Sequence, residues 1–230
     1  MIEERYAGIC KKIDCIREKV GNREVGINGI NRFYSVLIPI VEVDGEMHIL
    51  YEVRSPKIST QPNEVGFPGG RMEPGETSEE AAIRETCEEI GICGEKVEIL
   101  GQCDKMVTLA NFTIDAYVGY IKDFDMSQLR LSENEVGEVF TVPLEFFMEN
   151  DPEVYELGLI SGGIYCMRRD ALDLIESKSF SFEKANISKD YKFFGAVNEV
   201  LIYSYKSRAI WGLTGRITRN LVEILRGDIS

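Results

Sequence analysis

The segment from Gly70 to Ile92 constrains this 230-residue chain more than any other part of it. Three glutamates in it, Glu85, Glu88 and Glu89, stand at positions i, i+3 and i+4. A helix through these positions places the three carboxylates on one face, within reach of one another. Like charges that close cannot all stay ionised at neutral pH without a compensating cation. The pattern therefore predicts a site for a hard divalent metal, magnesium or manganese, with oxygen ligands.

Local signals around the glutamates define the ends of this helix. Pro74-Gly75 marks a turn, and Thr77-Ser-Glu-Glu80 matches a capping box, in which both end side chains satisfy free backbone N–H groups. Gly91 accepts the left-handed conformation that ends a helix. We therefore expect a helix from about Ser78 to about Ile90. For the glutamates taken alone, a solvated acidic surface helix is the alternative.

The spacing in this segment resembles the Nudix box, the sequence motif of the Nudix family. The motif consists of a glycine, five residues, a glutamate, seven residues, Arg-Glu, two residues, Glu-Glu, one residue, a glycine and an apolar residue. The matching positions are Gly70, Glu76, Arg84, Glu85, Glu88, Glu89, Gly91 and Ile92. Thr86 departs from the motif, because an apolar residue is usual there, and we expect its methyl group to pack inward.

The resemblance implies a role for each charged side chain of the motif. Glu85, Glu88 and Glu89 would bind the metal, and Glu85 is also a candidate for the catalytic general base. Arg84, paired with Glu76, would act in catalysis by orienting the carboxylates. The alternative for Arg84 is a simple i, i+4 ion pair with Glu88.

Members of the family often draw the general base from a loop beyond the box. In this chain the acidic loop Ser132-Glu-Asn-Glu-Val-Gly-Glu138 precedes a predicted strand. Glu135 is our first candidate for the base, followed by Glu133 and Glu138.

The residues before the box resemble those of the coenzyme A pyrophosphatase subgroup of the family. That subgroup has an Arg-Ser pair at a strand end, here Arg54-Ser55, and a Phe-Pro-Gly-Gly run just before the box. The substrate-binding candidates are Arg54, Phe67, Gly69, Gly70 and Arg71. The two glycines would let the backbone approach a metal and a phosphate closely. A stiff structural turn is the alternative for Phe67.

Four residues of this flank depart from the subgroup pattern. Histidine, glycine, glutamine and alanine are usual where this chain has, in order, Gln61, Asn63, Glu64 and Gly66. These departures weaken the assignment to coenzyme A but leave the hydrolytic residues untouched.

Strand patterns on both sides of the predicted helix indicate the fold. Residues 33–43 and 47–54, joined by Asp-Gly, read as a β-hairpin, and further strand-like runs follow at 97–103, 113–121 and 138–143. A second hairpin precedes an apolar-periodic helix at 214–226. The pattern predicts an α/β or α+β class. The resemblance implies an α/β/α sandwich, with a mixed β-sheet between helices.

Two regions lie outside this core pattern. Residues 1–20 have helical periodicity, so we assign 1–30 to an N-terminal helical extension. Residues 31–230 form the predicted Nudix hydrolase domain, with an unassigned insertion around 150–190. Within that insertion, 170–177 suggest a helix.

Composition limits the partners and the compartment. The net charge is −13 and there is no basic run, which argues against nucleic acid. No apolar stretch of about 18 residues and no signal pattern is present, so we expect no membrane partner and a soluble, cytoplasmic protein. A homodimer is compatible with the sequence, which does not itself define the oligomeric state.

Cysteine usage argues against zinc and against a disulfide scaffold. The six cysteines contain no Cys-x-x-Cys pair, and His48 is the one histidine. We expect Cys87, which lies inside the glutamate helix, to serve in packing.

These features lead to one main hypothesis and two alternatives. The main hypothesis is metal-dependent hydrolysis of the pyrophosphate bond of coenzyme A or a derivative, giving 3′,5′-ADP and a phosphopantetheine. The first alternative is hydrolysis of another nucleoside diphosphate derivative, such as ADP-ribose or a dinucleotide. The second is a Nudix domain that binds a nucleotide as a sensor without cleaving it.

Overall fold

The computed structural model describes residues 13–23, 25–108, 110–158, 165–167, 174–176 and 197–229. Its helices are α1 (Ile13–Gly21), α2 (Ser78–Ile90), α3 (Leu144–Glu149) and α4 (Gly212–Arg226). Its first eight strands are β1 (Phe33–Val43), β2 (Glu46–Arg54), β3 (Val65–Gly66), β4 (Gly69–Arg71), β5 (Val97–Gln102), β6 (Met106–Val107), β7 (Thr113–Ile121) and β8 (Val136–Pro143). Five more follow, namely β9 (Glu153–Gly158), β10 (Tyr165–Met167), β11 (Leu174–Glu176), β12 (Val197–Tyr205) and β13 (Arg208–Trp211).

The main sheet is mixed and has eight strands. Its path is β3-β2-β1-β7-β5, with β8 paired to β2, β4 to β1 and β6 to β7. Strands β1 and β7 run parallel, with Phe33 beside Thr113 and Ile40 beside Tyr120, while the other described pairings are antiparallel. The long central strands β1 and β2 are joined by Asp44-Gly45 and are the predicted hairpin.

The sheet lies between two helical layers. Alternate residues of the central strands point to opposite faces, as strand geometry requires. On one face Leu37, Val41 and Leu50 pack against Ala82 and Ile90 of α2. On the other face Ile38, Ile40 and Tyr51 of the same strands pack in one cluster with Ile217 and Leu221 of α4. The predicted α/β/α sandwich with a mixed sheet is confirmed.

A second sheet of three strands, in the order β13-β12-β9, adjoins α4. Its last hairpin leads directly into α4, as predicted. In the unassigned insertion, Leu174–Glu176 is strand β11 paired with β10, so a helix over 170–177 is wrong at these three residues. Pairing with strand β10, which lies just before it in the chain, overrides the local helical pattern. The remaining residues of 159–196 lie outside the described residues.

Helix α1 lies within the predicted N-terminal extension, and none of its residues is buried. Residues 1–12 lie outside the described part of the chain. The division of the chain at residue 30 therefore stays a prediction. Over the described ranges, no helix is long and apolar enough to cross a membrane.

Candidate active site

Helix α2 begins and ends where the capping signals predict. The Thr77 hydroxyl accepts a hydrogen bond from the Glu80 backbone N–H at 3.2 Å, and the Glu80 carboxylate accepts one from the Thr77 N–H at 2.8 Å. Gly91 has φ 78° and ends the helix. Thr86 is fully buried and its hydroxyl donates to the Ala82 carbonyl at 2.7 Å, so its predicted inward packing is confirmed. The helix thus holds its carboxylates at defined positions over the sheet.

The loop glycines before α2 lie directly against these carboxylates. The Gly69 backbone N–H donates to Glu89 Oε2 at 2.8 Å. A Cβ atom on Gly70 would lie 2.4 Å from the Glu85 carboxyl carbon, which no real contact allows. Gly70 is therefore favoured by the close approach of its backbone to the Glu85 carboxylate, whereas a Cβ atom on Gly69 would collide with the Ser35 carbonyl oxygen and with Val36 of β1. Both line the cleft described below.

Arg84 connects the loop, the helix and the carboxylates. Its guanidinium donates to both Glu76 oxygens, at 3.1 and 2.9 Å, to Glu85 at 2.9 Å and to Glu88 at 3.4 Å. A further hydrogen bond at 3.3 Å reaches the Arg71 carbonyl. The guanidinium also lowers the pKa of the partly buried Glu76 carboxyl, chiefly by its hydrogen bonds. These contacts match an orienting residue better than a lone Glu88 ion pair, although the role itself stays a prediction.

Burial changes the protonation of two carboxyl groups at the site. Glu89 is 6% exposed, and its burial, reinforced by the nearby Glu52 charge, raises its pKa to about 9. Glu52, on β2, is 1% exposed, and its burial raises its pKa to about 7 against the opposing effect of Arg54. Burial likewise raises the pKa of Glu85. In contrast, the Glu88 side chain is 58% exposed at the outer edge of the cluster. Glu89, Glu52 and Glu85 therefore lie in a poorly hydrated space that favours their protonated forms when no cation is bound.

Glu85, Glu88 and Glu89 suit a hard divalent cation chemically, because the atoms they offer as ligands are all carboxylate oxygens. Within the described ranges, no three Asp, Glu, His or Cys side chains are already arranged to hold a metal ion. The contacts explain this, because Glu85 and Glu88 are turned to Arg84, and Glu89 to the Gly69 N–H. Arg84 contacts one oxygen of Glu85 and one oxygen of Glu88, so the second oxygen of each carboxylate would be the one to reach a bound cation. The Glu85 carboxyl group occupies the space that a side chain on Gly70 would fill.

The carboxylates open into a cleft of about 1060 Å³. This is the size of a site for a nucleotide-like ligand. Its lining combines acidic, basic and apolar side chains from distant parts of the chain, among them Glu85, Glu89, Glu135, Arg54, Arg71, Arg216, Tyr34, Phe112, Trp211 and Leu213. Tyr34 and Phe112 meet edge to face with ring centroids 5.1 Å apart. Trp211, at the end of β13, and Leu213, in the first turn of α4, are both partly exposed.

The structure separates the three candidates for the general base. Glu135 lines the cleft together with Glu85 and Glu89, and its Oε2 accepts a hydrogen bond from the Ser132 hydroxyl at 3.0 Å. Glu138 instead forms an ion pair with Arg208. Glu133 is not among the residues that line the cleft. Glu135 and Glu85 therefore stay as the predicted bases with access to a bound ligand.

The predicted substrate-binding residues all line the cleft, but they differ in exposure. Arg54 is held by a hydrogen bond from its Nε to the Thr60 carbonyl at 3.4 Å, and Arg71 follows the two loop glycines on β4. Phe67 is only 6% exposed and stacks on Tyr51 with ring centroids 4.9 Å apart. Phe67 thus contributes mainly to the core beneath the cleft. Its substrate-binding role stays a prediction.

Sequence reasoning missed the contributions of Glu52 and of the α4 wall. Glu52 lies two residues before the Arg54-Ser55 pair, but that pair gives Glu52 no role, and Glu52 reaches the site through sheet pairing with β3 and β8. A single charge at an inward strand position, two residues after Leu50, was the signal that could have indicated it. Arg216 comes from the C-terminal part of the chain and carries no local signal. Trp211 lies in the run Ile210-Trp-Gly-Leu-Thr214, which resembles the coenzyme A pyrophosphatase subgroup.

The expectation that Cys87 serves only in packing is wrong. Cys87 and Cys93 form a disulfide, with Cα atoms 4.4 Å apart, and Cys15 is disulfide-bonded as well. The left-handed turn at Gly91 brings Cys93 back beside the end of α2. A spacing of six residues has no recognised disulfide pattern, so the pairing depends on this turn. Cys103, by contrast, is a buried free thiol whose pKa is raised to about 11 by burial.

Comparison with known proteins places the chain in a family. Residues 32–156 match the model of the NUDIX domain. Nudix hydrolase 3 of Caenorhabditis elegans is 33% identical over 223 residues, which is 95% of this chain and 84% of that protein. Peroxisomal coenzyme A diphosphatase NUDT7 of Mus musculus is 35% identical over 140 residues, 60% of this chain and 57% of that protein. Mitochondrial coenzyme A diphosphatase NUDT8 of Homo sapiens is 28% identical over 123 residues, 53% of this chain and 52% of that protein.

The chain therefore spans little more than half the length of these two coenzyme A diphosphatases. The NUDIX match includes α2, both loop glycines and Glu135, which are the residues that build the carboxylate site. Members of this family are hydrolases that act on nucleoside diphosphate derivatives and generally use divalent metals. By the extent of these matches, this chain belongs to the Nudix hydrolase family.

Proposed function

We propose that this protein hydrolyses the pyrophosphate bond of coenzyme A or a derivative, with Mg²⁺ or Mn²⁺ as the cofactor. The products would be 3′,5′-ADP and a phosphopantetheine. The observation that carries this proposal is the cleft, in which Glu85 and Glu89 share one space with Arg54, Arg71 and apolar side chains. Such a lining suits a long ligand with several phosphates and a less polar arm.

The relatives and the flanking sequence support this substrate. Both the mouse NUDT7 and the human NUDT8 proteins compared above are named coenzyme A diphosphatases, and the match to NUDT7 reaches 35% identity. The Arg54-Ser55 pair and the Phe67-Pro-Gly-Gly70 run resemble the same subgroup. Some of the departures fall in a turn, since Gln61 and Asn63 both have positive φ values, 54° and 61°.

For this reaction the protein must activate one water molecule next to the two linked phosphates of the substrate. The water oxygen forms a bond to one phosphorus, the bridging P–O bond breaks, and the water proton passes to Glu135 or Glu85. Glu85, Glu88 and Glu89 would hold a divalent cation, which when bound would neutralise charge on the phosphate oxygens and acidify the water. Arg84 holds the carboxylates in register, and the loop glycines admit the phosphates beside them.

The arginines of the cleft account for recognition of the nucleotide end. Arg54, Arg71 and Arg216 line the cleft in a chain of net charge −13, so they offset the repulsion of an anionic ligand. The 3′-phosphate distinguishes coenzyme A from dephospho-coenzyme A and gives these cations an additional partner. We expect the protein to prefer coenzyme A to its dephospho form.

Activity on another nucleoside diphosphate derivative, or nucleotide sensing without cleavage, are the competing hypotheses. The decisive experiment incubates the pure protein and Mg²⁺ or Mn²⁺ with coenzyme A, dephospho-coenzyme A, ADP-ribose, NADH and dinucleoside polyphosphates, and identifies products by mass. Formation of 3′,5′-ADP with the highest kcat/KM for coenzyme A is the expected result. Preferential cleavage of another compound would reject the substrate, and tight binding without cleavage would favour the sensor.

Two variants test the catalytic assignment on the same panel. Glu88→Gln and Glu89→Gln should abolish turnover while the fold persists, because each loses a charged metal ligand. Glu79→Gln changes an exposed glutamate in the first turn of the same helix and should retain full activity. Full activity in either ligand variant would contradict the assignment.

The cytoplasmic location and the homodimer also stay predictions.

A further inference from the structure

Glu52 is a buried carboxyl group on the sheet beneath α2. It follows Leu50 by two residues on β2, and Leu50 packs against α2 on the inner face of the sheet. Because alternate strand residues share a face, the Glu52 side chain is directed to the same side. Tyr51, between them, packs on the α4 side. Glu52 therefore approaches the carboxylates of α2 from below.

One oxygen of Glu52 lacks a partner. The residue is 1% exposed, and its Oε2 atom is buried with no hydrogen bond to any described residue. A buried carboxylate without compensation costs several kcal/mol, so native proteins rarely retain one that has no ligand or partner. The Glu52 carboxylate can therefore be expected to have a partner in the working protein.

Three glycines of the segment 66–70 each lie beside a carboxylate of this region. Gly66 is the sheet partner of Glu52, and a Cβ atom on Gly66 would lie 3.9 Å from Glu52 Oε1. Gly69 donates to Glu89, and Gly70 faces Glu85. Each glycine thus adjoins a different carboxylate on the same inner side of the loop. The electrostatic neighbours of Glu52 are Glu85 and Glu135 of the cleft together with Arg54.

We infer that Glu52 is an additional ligand of the divalent cation site, supplying an oxygen from the sheet opposite the three glutamates of α2. The inference rests on the proposed function only for the existence of that cation site. A hard cation accepts six or more oxygens, and carboxylates from two sides complete more of that shell than one helix face can. The orphaned Oε2 atom is the oxygen placed for this role.

The test measures metal binding directly. Glu52→Gln removes the charge and keeps the size, while Glu42→Gln makes the same change at an exposed position of the neighbouring strand β1. Mn²⁺ is titrated into each protein, and free Mn²⁺ is followed by electron paramagnetic resonance. We expect Glu52→Gln to weaken Mn²⁺ binding about tenfold or more, or to remove one bound ion, while Glu42→Gln binds as the unmodified protein does.

A second variant keeps the test decisive if Glu52→Gln does not fold. Glu52→Asp retains the charge but withdraws the oxygens by one methylene, and it should also weaken Mn²⁺ binding. Mn²⁺ stoichiometry and affinity that match the unmodified protein, in either folded variant, would overturn the inference. Because binding is read without substrate, failure to cleave coenzyme A would reject the proposed function but leave this result intact.

Discussion

Single side chains at this site combine burial with ionisable groups, so burial affects whether they are protonated. Glu52 and Glu89 lie almost completely inside the protein, yet each carries a group that is normally ionised at neutral pH. Burial is the first cause of both raised pKa values, and the mutual repulsion of the carboxylates adds to it. In the absence of a cation, protonation of Glu52 and Glu89 reduces the repulsion between the carboxylates.

The first prediction concerns stability against pH in the presence of EDTA. Glu89 has a pKa of about 9 in the folded protein and an ordinary value of 4.5, so the native state holds this proton more tightly than the unfolded state does. The stability it contributes is complete below the ordinary value and is lost as pH rises towards the folded value. We therefore expect a lower Tm at about pH 8.5 than at about pH 6, measured by calorimetry.

Glu89→Gln removes this titration and should show a smaller decrease of Tm over the same range. Added Mg²⁺ or Mn²⁺ should also reduce the decrease in the unmodified protein, because the cation stabilises the ionised form. A Tm decrease of equal size in Glu89→Gln would contradict the assignment to this group.

The second prediction concerns the approach of the loop to the catalytic helix. Gly70→Ala would bring a methyl group to 2.4 Å from the Glu85 carboxyl carbon, so the loop or the carboxylate must move. A displacement of about 1 Å at a catalytic group costs roughly 100-fold in rate. We expect kcat/KM on the best substrate of the panel to fall by about that factor.

Gly101→Ala is the matched control, because a Cβ atom there meets nothing within 4 Å. It should retain the activity of the unmodified protein. Retained activity in Gly70→Ala would mean that the loop has more room beside Glu85 than the structure gives it.

At the scale of elements, α2 owes its position to both of its ends. The capping box at Thr77 fixes where it begins, and the left-handed turn at Gly91 fixes where it ends. The Cys87–Cys93 disulfide ties the last turn of the helix to the segment that follows. A Cβ atom on Gly91 would lie 2.9 Å from Arg130 Cβ, so this turn is also packed against the loop that leads to Glu135.

The third prediction tests the helix start. Thr77→Ala removes the hydroxyl that accepts from the Glu80 N–H, and it should reduce the free energy of unfolding by about 1 kcal/mol. Denaturant titration followed by circular dichroism measures this change. Ser204→Ala, at an exposed position of β12, should change it by less than about 0.5 kcal/mol. An equal effect of the two substitutions would argue against the capping contribution.

At the scale of the whole molecule, the site is built by helices that pack on the two opposite faces of one sheet. Helix α2 carries the carboxylates on one face, while α4 closes the other face and extends to the wall of the cleft. A buried hydrogen bond of 3.0 Å between the Tyr51 and Thr218 hydroxyls joins α4 to the central sheet across 167 residues of sequence. Thr214 adds a second link, since its hydroxyl donates to the Val65 carbonyl at 2.9 Å.

The fourth prediction applies a double-mutant cycle to this link. Tyr51→Phe and Thr218→Val each leave the other buried hydroxyl unpaired, and each should cost about 1–3 kcal/mol of unfolding free energy. The double variant replaces both groups by apolar ones and should cost less than the sum of the two. Denaturant unfolding measures all four proteins. Strictly additive effects would contradict a direct coupling between the two residues.

The sequence alone determined the elements whose contacts are local. The capping box, the glycine stop and the spacing of Glu85, Glu88 and Glu89 define α2, because helix hydrogen bonds join residues only four positions apart. The Asp44-Gly45 turn likewise defines the first hairpin, and the box spacing indicates the family. Each of these features is complete within about twenty consecutive residues.

Only the tertiary structure decided which distant residues share the site. Glu52 reaches the α2 carboxylates through the pairing of β2 with β3 and β8, and Arg216 reaches the cleft through the packing of α4 on the opposite face. That Glu135 lines the cleft while Glu138 pairs with Arg208 depends on where β8 begins. Such contacts join residues far apart in the chain, and no local pattern encodes them, because they are set by sheet register and by the packing of the whole core.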